Sequence, residues 1–379
     1  MKKEKRRWCA WALLALGLLL ALPSLGFLMT ADDLLQYAIV APSGEGAADE
    51  IASLLAARET IAETLGDSVT ATAVGGLTGT ASVSAGEKSA SAVVYAGAEG
   101  WFEIYPVALA SGRRITETEL RRGDRVIMLD SDLAFTLFGA EIPEDAEVRV
   151  LGESYAVVGT FRHRRDVGEV SAHAVCLPLR AAGGGLETML FSAKPVANAG
   201  ARTLFESAVR DGWQPGGSFY SIEKEAMRRT MIPRMMLLVF GMSALMALLR
   251  GMNGVAARGA QSFRAGMRVH YFPKMIPRLM GLIGLCIAGY GALAALLYGL
   301  MTFTVEPLYV FTEWVPENIV AWSSLRDVFW NLTSSAAQLV KVGMPQMRRI
   351  EFAGGLLRWG CLLAAWAALL LKRRARAKR

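Results

Sequence analysis

The run at residues 279–303, LMGLIGLCIAGYGALAALLYGLMTF, decides the class of fold. It contains no charged residue and exceeds the about 20 apolar residues that a helix needs to cross the about 30 Å hydrocarbon core of a bilayer. Because hydrocarbon offers no partner to backbone N–H and C=O groups, the run is expected to be helical. Its glycines, Gly281, Gly284, Gly289 and Gly291, predict close packing against another helix. The sequence is therefore that of an integral membrane protein.

Three further apolar runs lie at residues 8–29, 235–249 and 352–371. The second is short, and we extend it past Arg250, because an arginine near a membrane boundary can reach the headgroups with its charged end. Arg358 in the last run is accommodated in the same way. The prediction is four transmembrane helices at residues 8–29, 233–257, 278–303 and 352–371. A cleaved signal peptide is the alternative for the first run, but its apolar part is long and no small-residue cleavage site follows, so we expect a retained anchor.

Charge sets the predicted orientation. Residues 1–7, the connection at 258–277 with its flanking arginines, and the tail at 372–379 are rich in lysine and arginine, and their only acidic residue is Glu4. Cytoplasmic loops carry such an excess, so both termini are predicted to be cytoplasmic in a multi-pass protein of the cell membrane. The net charge of +7 then reflects topology. It does not indicate nucleic-acid binding.

The segment at residues 30–232 is long enough for one substantial domain outside the cytoplasm. Helical spacing of apolar residues predicts helices at 47–65 and 203–210, and an amphipathic stalk at 222–229 that leads into the second span. Short β-rich runs separated by turn residues predict strands at 69–74, 92–95, 126–129, 148–150, 155–161 and 174–177. The predicted fold is thus four transmembrane α-helices with a large α+β extracytoplasmic domain inserted between helices 1 and 2.

Five segments of this domain resemble, in order, a known family. They are GRRITETE at 112–119, VIMLD at 126–130, LAFTLFG at 133–139, VRVLGESYAVVGTF at 148–161 and AVCLPL at 174–179. The predicted local structure is a turn, a buried strand, a short helix ended by Gly139, and a hairpin that reverses at Gly152. The series is similar to the extracytoplasmic core domain of the MacB/FtsX-type permeases of ATP-binding cassette (ABC) systems.

That resemblance implies a permease-like subunit, paired with an identical or a different permease chain, that works with a separate cytoplasmic ABC ATPase. The partner would bind ATP and drive motion of the outer domain by mechanotransmission. The ATPase would contact the cytoplasmic element within residues 255–273, and the predicted coupling residues are Arg258, Phe263, Arg264, Met267, Arg268 and Tyr271. Cationic and apolar residues at helical spacing suit a helix that lies in a groove. Ordinary positive-inside charge beside lipid headgroups explains the same residues, and the family's acidic residue is missing here.

The sequence gives little support for an enzyme activity or for a metal site. It contains no G-x-x-x-x-G-K-[ST] phosphate loop, no G-x-S-x-G elbow and no H-E-x-x-H helix, so we expect no enzyme activity and no cofactor in this chain. His163, Asp166, Glu169 and His173 form the one dense polar cluster, for which a solvated turn is favoured over a metal site. Cys176 is predicted to be a small core residue, and Cys9, Cys286 and Cys361 lie in or beside spans, so no disulfide is expected in the outer domain.

The outer connection at residues 304–351 is rich in aromatic residues and includes Trp314, Trp322 and Trp330. Its apolar spacing at 328–340 predicts an amphipathic helix, and an aromatic belt in contact with membrane lipid is favoured over a hydrophobic-ligand surface. Two functions remain open. The first is an ABC permease-like subunit for export or envelope remodelling. The second is an ATPase-independent membrane-anchored scaffold or sensor whose outer domain binds an envelope partner.

Overall fold

The computed structural model describes most of the chain: residues 2–42, 46–165, 171–196, 200–214, 216–268, 271–310 and 344–376, with 323, 326 and 330. Contacts divide it into two units, which are described separately. One consists of residues 26–226 and 333–355, and the other of residues 1–25, 227–332 and 356–379. The first is called the outer domain and the second the helical unit.

The described helices are α1 (Lys2–Met29), α2 (Gly46–Leu65), α3 (Trp101–Ile104), α4 (Glu117–Arg122), α5 (Ser131–Phe138), α6 (Gly200–Gly212), α7 (Ile222–Met267), α8 (Phe272–Val310) and α9 (Pro345–Arg376). The described strands are β1 (Leu35–Val40), β2 (Val69–Ala85), β3 (Lys88–Gly97), β4 (Ala108–Gly112), β5 (Val126–Asp130), β6 (Glu147–Val150), β7 (Glu153–Arg162), β8 (His173–Pro178), β9 (Thr188–Pro195) and β10 (Ser218–Ser221).

All ten described strands belong to one mixed sheet of the outer domain. Nine of them follow the order β10-β1-β9-β2-β3-β8-β5-β7-β4, and β6 lies off this path and pairs with β2 and β7. The pairs β3–β8 and β5–β7 are parallel, and the others are antiparallel. β2 is long and irregular between Thr78 and Ala81, and its last residues also pair with β6. Such bulges bend a strand, which lets one strand serve two partners.

The core of the outer domain is apolar and fully buried. Leu54 and Ile61 of α2 lie in one cluster with Phe205 and Val209 of α6, and α6 packs on β1 and β9. The ring centres of Phe191 on β9 and Phe205 are 5.8 Å apart in an edge-on arrangement. The helical spacing in 47–65 and 203–210 therefore corresponds to real core faces of α2 and α6.

The turns of the family-like segments have the expected geometry. The hairpin between β6 and β7 reverses at Leu151 and Gly152, which have φ angles of 53° and 89°. Gly139, with φ 89°, ends α5. Thr116 and Glu119 form a reciprocal capping box at the start of α4. Because glycine alone adopts positive φ without strain, these turns explain why glycine stands at 139 and 152.

Each of the six strand runs predicted from sequence lies within a strand, but four strands were missed. These are β1, β4, β9 and β10. β4 has the sequence ALASG and is exposed along its whole length. β10 has only four residues. Strand formation depends on the neighbours that a segment meets, and short or alanine-rich segments carry little signal of their own.

Four described helices are long and apolar enough to cross a membrane: Trp8–Met29, Ile222–Met267, Met275–Glu306 and Gln346–Leu370. The first three include the predicted spans at 8–29, 233–257 and 278–303, and the last covers the predicted span at 352–371 except residue 371. The predicted stalk, the second span and the first part of the connection at 258–277 are all parts of the single helix α7, and α8 begins at Phe272. The predicted amphipathic helix at 328–340 lies almost wholly outside the described residues.

Within the helical unit, α7 and α8 pack as an antiparallel pair. A Cβ added at Gly241 would lie 2.8 Å from the Leu300 side chain, and one at Gly259 would lie 2.4 Å from Leu282. As residue numbers rise along α7, those of the contacts on α8 fall, which defines the antiparallel direction. Glycine lets the neighbouring side chain seat directly on the helix backbone.

The glycine prediction for the third span needs correction. Gly289 does accept a neighbour, since an added Cβ would lie 2.2 Å from the Met252 side chain. No atom lies within 4 Å of a Cβ built at Gly281, Gly284 or Gly291 among the described residues, so the prediction is wrong for these three. The packing glycines lie mostly on α7. Glycine spacing alone does not show which face of a helix meets its partner.

The helices α1 and α9 approach each other backbone to backbone. A Cβ added at Gly17 would lie 2.7 Å from the Gly360 carbonyl oxygen, and one added at Gly360 would lie 2.8 Å from the Ala21 nitrogen. Gly17 also faces Ala364, so this pair is antiparallel as well. The end of α1 near residue 8 and the end of α9 near residue 370 therefore lie at the same end of this helix pair.

Candidate transmission site

The start of α7 is tied to the start of β1. β10 runs antiparallel to β1 with Ser221 opposite Leu35, and the Ile222 N–H donates to the Leu34 carbonyl at 3.0 Å. α7 begins at Ile222, and α1 ends at Met29, five residues before Leu34. The two chain connections between the sheet and the long helices, one entering and one leaving, are therefore adjacent in the outer domain.

Asp33 joins these two connections. Its Oδ1 accepts hydrogen bonds from the Ser221 hydroxyl at 2.9 Å and from the Glu223 N–H at 3.1 Å. The Ser221 Oγ in turn accepts from the Lys224 N–H at 3.2 Å, so Ser221 caps α7. A carboxylate at a helix N-terminus meets unpaired N–H groups and the positive end of the helix dipole. Asp33 thus fixes the first turn of α7 to the strand that follows α1.

Arg202 of α6 completes this cluster. Its Nε donates to Asp33 Oδ2 at 3.2 Å, and its Nη2 forms an ion pair with the Glu223 carboxylate. The Arg202 and Asp33 side chains are largely buried. Hydrogen bonds between charged groups are stronger than those between neutral groups. Removal of one member of the cluster would leave the charge of another member poorly paired. The cluster of Asp33, Arg202, Ser221 and Glu223 is called the junction cluster.

Sequence reasoning did not find the junction cluster. Ser221 followed by acidic residues at the start of an apolar-periodic segment was a usable helix-start signal. Asp33 and Arg202 gave no such signal, because the register of β1 with β10 and the position of α6 bring them together.

The predicted coupling residues lie at and beyond the other end of α7. Arg258, Phe263, Arg264 and Met267 belong to α7, and Arg268 and Tyr271 follow it. Arg258 is exposed and donates from Nε to the Gly254 carbonyl of the preceding turn. Tyr271 is 86% exposed and Met267 is 48% exposed, and Arg264 and Arg268 are exposed as well. Phe263 is half-buried. The role of these residues as the contact for an ATPase stays a prediction.

The polar cluster around the histidines is organised by a residue that the sequence analysis did not include. Asp130, buried at the end of β5, accepts the His163 backbone N–H at 3.2 Å and lies 3.4 Å from His173 Nδ1. Asp166 and Glu169 lie outside the described residues. Among the residues that are described, no group of three metal-ligating side chains could hold a metal ion.

Cys176 lies in β8 and is buried. Burial raises the pKa of its thiol to about 12. A protonated buried thiol is chemically inert, which agrees with the predicted role as a small core residue.

The outer domain also has an open polar groove of about 400 Å³. Arg58 of α2 and three acidic residues, Glu99, Glu103 and Glu117, are among its lining residues. Ion pairs with Arg121 and with Arg58 hold the pKa of Glu99 below its ordinary value. The Glu117 carboxylate accepts the Gly100 N–H at 3.0 Å. The groove is therefore polar, with more acidic than basic groups.

The fold defines a class: a mixed α/β domain in a chain whose described residues include four helices apolar enough to cross a membrane. Residues 25–203 match a family model described as the MacB-like periplasmic core domain. This match confirms the resemblance found in the sequence. Over residues 25–203 the chain is similar to a MacB-like periplasmic core domain, and the chain is a membrane protein with an extracytoplasmic domain.

Three crystal structures are similar to parts of this chain at low sequence identity. The extracellular domain of the noncanonic ABC-type transporter YknZ from Gram-positive bacteria is 17% identical, covers 47% of this chain and 92% of its own, and has a TM-score of 0.36. The periplasmic region of MacB from Actinobacillus actinomycetemcomitans is 16% identical, covers 50% and 87%, and has a TM-score of 0.38. A domain of a permease protein from Porphyromonas gingivalis is 10% identical, covers 50% and 86%, and has a TM-score of 0.31. No protein with a curated description matches the chain.

Proposed function

We propose that this chain is a permease-like membrane subunit of an ABC system, and that it transmits ATP-driven motion from a separate cytoplasmic ATPase to its outer domain. The observation that carries the proposal is the continuity of α7. This helix begins in the junction cluster and runs without interruption to Met267. The family match over residues 25–203 supports the same class.

The length of α7 suits this role. At 1.5 Å per residue, its 46 residues extend about 70 Å, whereas a bilayer with its headgroups is about 40–45 Å thick. A helix of this length extends beyond the membrane. One continuous helix then reaches from the junction cluster to the basic segment that contains Arg264 and Arg268.

The topology that goes with this function has both termini and the connection between α7 and α8 in the cytoplasm. The basic residues of all three segments favour it. The antiparallel contact of α1 with α9 is compatible with it, since both chain termini then lie on one side. The proposed partners are a cytoplasmic ABC ATPase that binds ATP, a second permease chain, identical or different, and membrane lipid. No catalytic role, cofactor or nucleic-acid partner is proposed for this chain.

The test is co-purification from the native membrane. The tagged chain is extracted in mild detergent, the bound proteins are identified by mass spectrometry, and the preparation is assayed for ATP hydrolysis. We expect a P-loop ATPase at constant stoichiometry, lost in the double variant Arg264→Glu and Arg268→Glu. The matched control reverses Arg373 and Arg374 in the tail, which changes the charge equally and should keep the ATPase bound.

Two outcomes would count against the proposal in different ways. If the ATPase stays bound to the Arg264→Glu, Arg268→Glu variant, those residues are not its contact. If no ATPase is recovered and an envelope protein is found instead, the chain is an ATPase-independent scaffold or sensor. The observation that favours this second function is the open groove at Arg58 and Glu99, which provides a recessed polar surface for a partner.

A further inference from the structure

Arg234 is a buried cation on α7. Its side chain is 4% exposed, whereas Leu237, three residues further along α7, is 48% exposed. Protein atoms alone produce this burial. Ionisable residues at such positions in membrane proteins are costly, and they are found with specific partners.

The partners of Arg234 lie mainly on α8. Its Nη1 donates to the backbone carbonyl of Phe303 and lies 3.3 Å from Oε2 of Glu306. The guanidinium carbon is 4.3 Å from the centre of the Phe303 ring. Within α7, Nε donates to the Thr230 hydroxyl at 3.1 Å. One side chain therefore makes a hydrogen bond, an ion pair and a cation–π contact to a single place on the neighbouring helix.

The contact of Arg234 with Phe303 and Glu306 lies at one end of the antiparallel pair of α7 and α8. Further along α7 come the contacts of Gly241 with Leu300, Gly259 with Leu282 and Gly266 with Met275, in which an apolar side chain faces a glycine. Apolar contacts of this kind have little directional preference. A further polar contact along the pair is a single hydrogen bond, which the Tyr290 hydroxyl donates to Asn253 Oδ1 at 2.6 Å. A planar guanidinium that holds a carbonyl, a carboxylate and a ring has a fixed geometry.

Pro233 immediately precedes Arg234 inside α7. Proline has no N–H, so the helix lacks one backbone hydrogen bond there and is more easily bent. Arg234 is the first residue after this weak point. The part of α7 that begins at Arg234 is thus held to α8 at the position where the helix is most able to bend.

We propose that Arg234 is a positioning residue that fixes the Phe303 end of α8 to α7, so that the two helices move as one hairpin and bending of α7 occurs at Pro233. The contact itself is independent of the ATPase. Its importance for transmission rests on the proposed function.

The test measures the two ends of the helix pair separately. Cysteine pairs for spin labels are placed at Leu237 with Met301, near Arg234, and at Val255 with Leu285, near the other end; all four side chains are exposed. The native cysteines are replaced, and the full chain is reconstituted in lipid nanodiscs. Because packed helices lie about 8–10 Å apart, dipolar broadening of the spectrum reports whether the labels stay together.

Arg234→Met is expected to raise the population of separated labels at the Leu237–Met301 pair about three- to twentyfold, the range that membrane interhelical hydrogen bonds support. The Val255–Leu285 pair should not change. Arg234→Lys keeps the charge but loses the fork and the stacking, so it should give an intermediate effect. Arg250→Met removes an exposed arginine of the same helix and should leave both pairs unchanged.

A milder variant covers the case in which Arg234→Met does not fold. Glu306→Gln changes a side chain that is 54% exposed, and it should loosen the same pair of labels to a smaller extent. Unchanged broadening at Leu237–Met301 in both variants would overturn the proposal, and so would equal loosening at both label pairs. The spectra need no ATPase, so failure of this inference and failure of the proposed function give different results.

Discussion

The outer domain and the helical unit are held together in different ways. In the outer domain, large side chains such as Trp101, Tyr37 and Phe191 are fully buried. In the helical unit, large apolar side chains such as Ile287 and Leu237 are exposed, and glycines such as Gly17 and Gly360 let helix backbones approach closely. Burial of apolar surface drives folding in water, but lipid is as apolar as leucine and supplies no such drive between helices.

This difference suits a transmission role. A densely packed domain behaves as a solid body, because its core transmits strain and has few alternative arrangements. Helices joined by small-residue contacts and a few polar contacts, such as those of Arg234 and of Tyr290 with Asn253, can shift relative to each other at lower cost. Motion is then expected to occur mainly in the helices and at the junction cluster, while the core of the outer domain moves as one body.

The largest expected effect comes from breaking the core of the outer domain. Phe191→Ala removes a fully buried ring and leaves a cavity, so it should lower the free energy of unfolding by about 3–5 kcal/mol. The measurement is urea-dependent amide exchange of peptides from β1 and β9 in the full chain. Phe135→Ala is the matched control, since that ring is 66% exposed and its loss should change stability by less than about 0.5 kcal/mol. Equal effects of the two variants would contradict a core centred on β9.

A smaller effect is expected where helices meet at glycine. Gly17→Leu places a side chain where the Gly360 carbonyl now lies 2.7 Å from the Cβ position, so α1 and α9 must move apart. Overpacking of this kind costs about 1–3 kcal/mol. The measurement is thermal unfolding in detergent, followed by helical circular dichroism. Gly284→Leu adds the same side chain where nothing lies within 4 Å, and it should be nearly neutral. A destabilised Gly284→Leu would show that the open face of α8 is in fact covered.

The smallest expected effect concerns the ion pair of Arg113 and Glu119 in the outer domain. The Arg113 guanidinium, with the Thr116 cap, lowers the pKa of Glu119 from 4.5 to about 2. Because the folded pKa lies below the unfolded one, this stabilisation is present above pH 4.5 and is lost as the pH falls toward 2. Solvent screens the pair, so its worth at neutral pH is about 1 kcal/mol.

Glu119→Gln should therefore be less stable than the unchanged protein at pH 7 and nearly equal to it at pH 2.5. Urea-dependent amide exchange of α4 at the two pH values makes the comparison. A difference that is the same at both pH values would mean that Glu119 acts through its hydrogen-bonding shape and not through its charge.

The sequence predicted the parts of the fold that carry local signals. Short apolar runs marked β5 and β8, and glycines marked the end of α5 and the turn before β7. Helical spacing marked α2 and α6. The four apolar runs marked helices that are long enough to cross a membrane.

The candidate site could not be predicted in the same way. Asp33 meets Arg202 and Ser221 only because β1 pairs with β10 and α6 packs on β1. Arg234 meets Phe303 and Glu306 only because α7 and α8 are antiparallel in one register. Both clusters join residues distant in sequence, and no spacing rule within one segment reports such a pairing.

The most direct test of transmission is the response of the junction cluster to nucleotide. Amide exchange of β1, β10 and the first turns of α7 is measured in the chain co-purified with its ATPase, with ATP and without nucleotide. Asp33→Asn is compared with the neighbouring exposed control Asp32→Asn. We expect that ATP changes exchange at the junction in the unchanged protein and in Asp32→Asn, and that Asp33→Asn weakens this response while the ATPase stays bound. If ATP leaves exchange at the junction unchanged although the ATPase is bound and active, α7 does not carry motion to the outer domain.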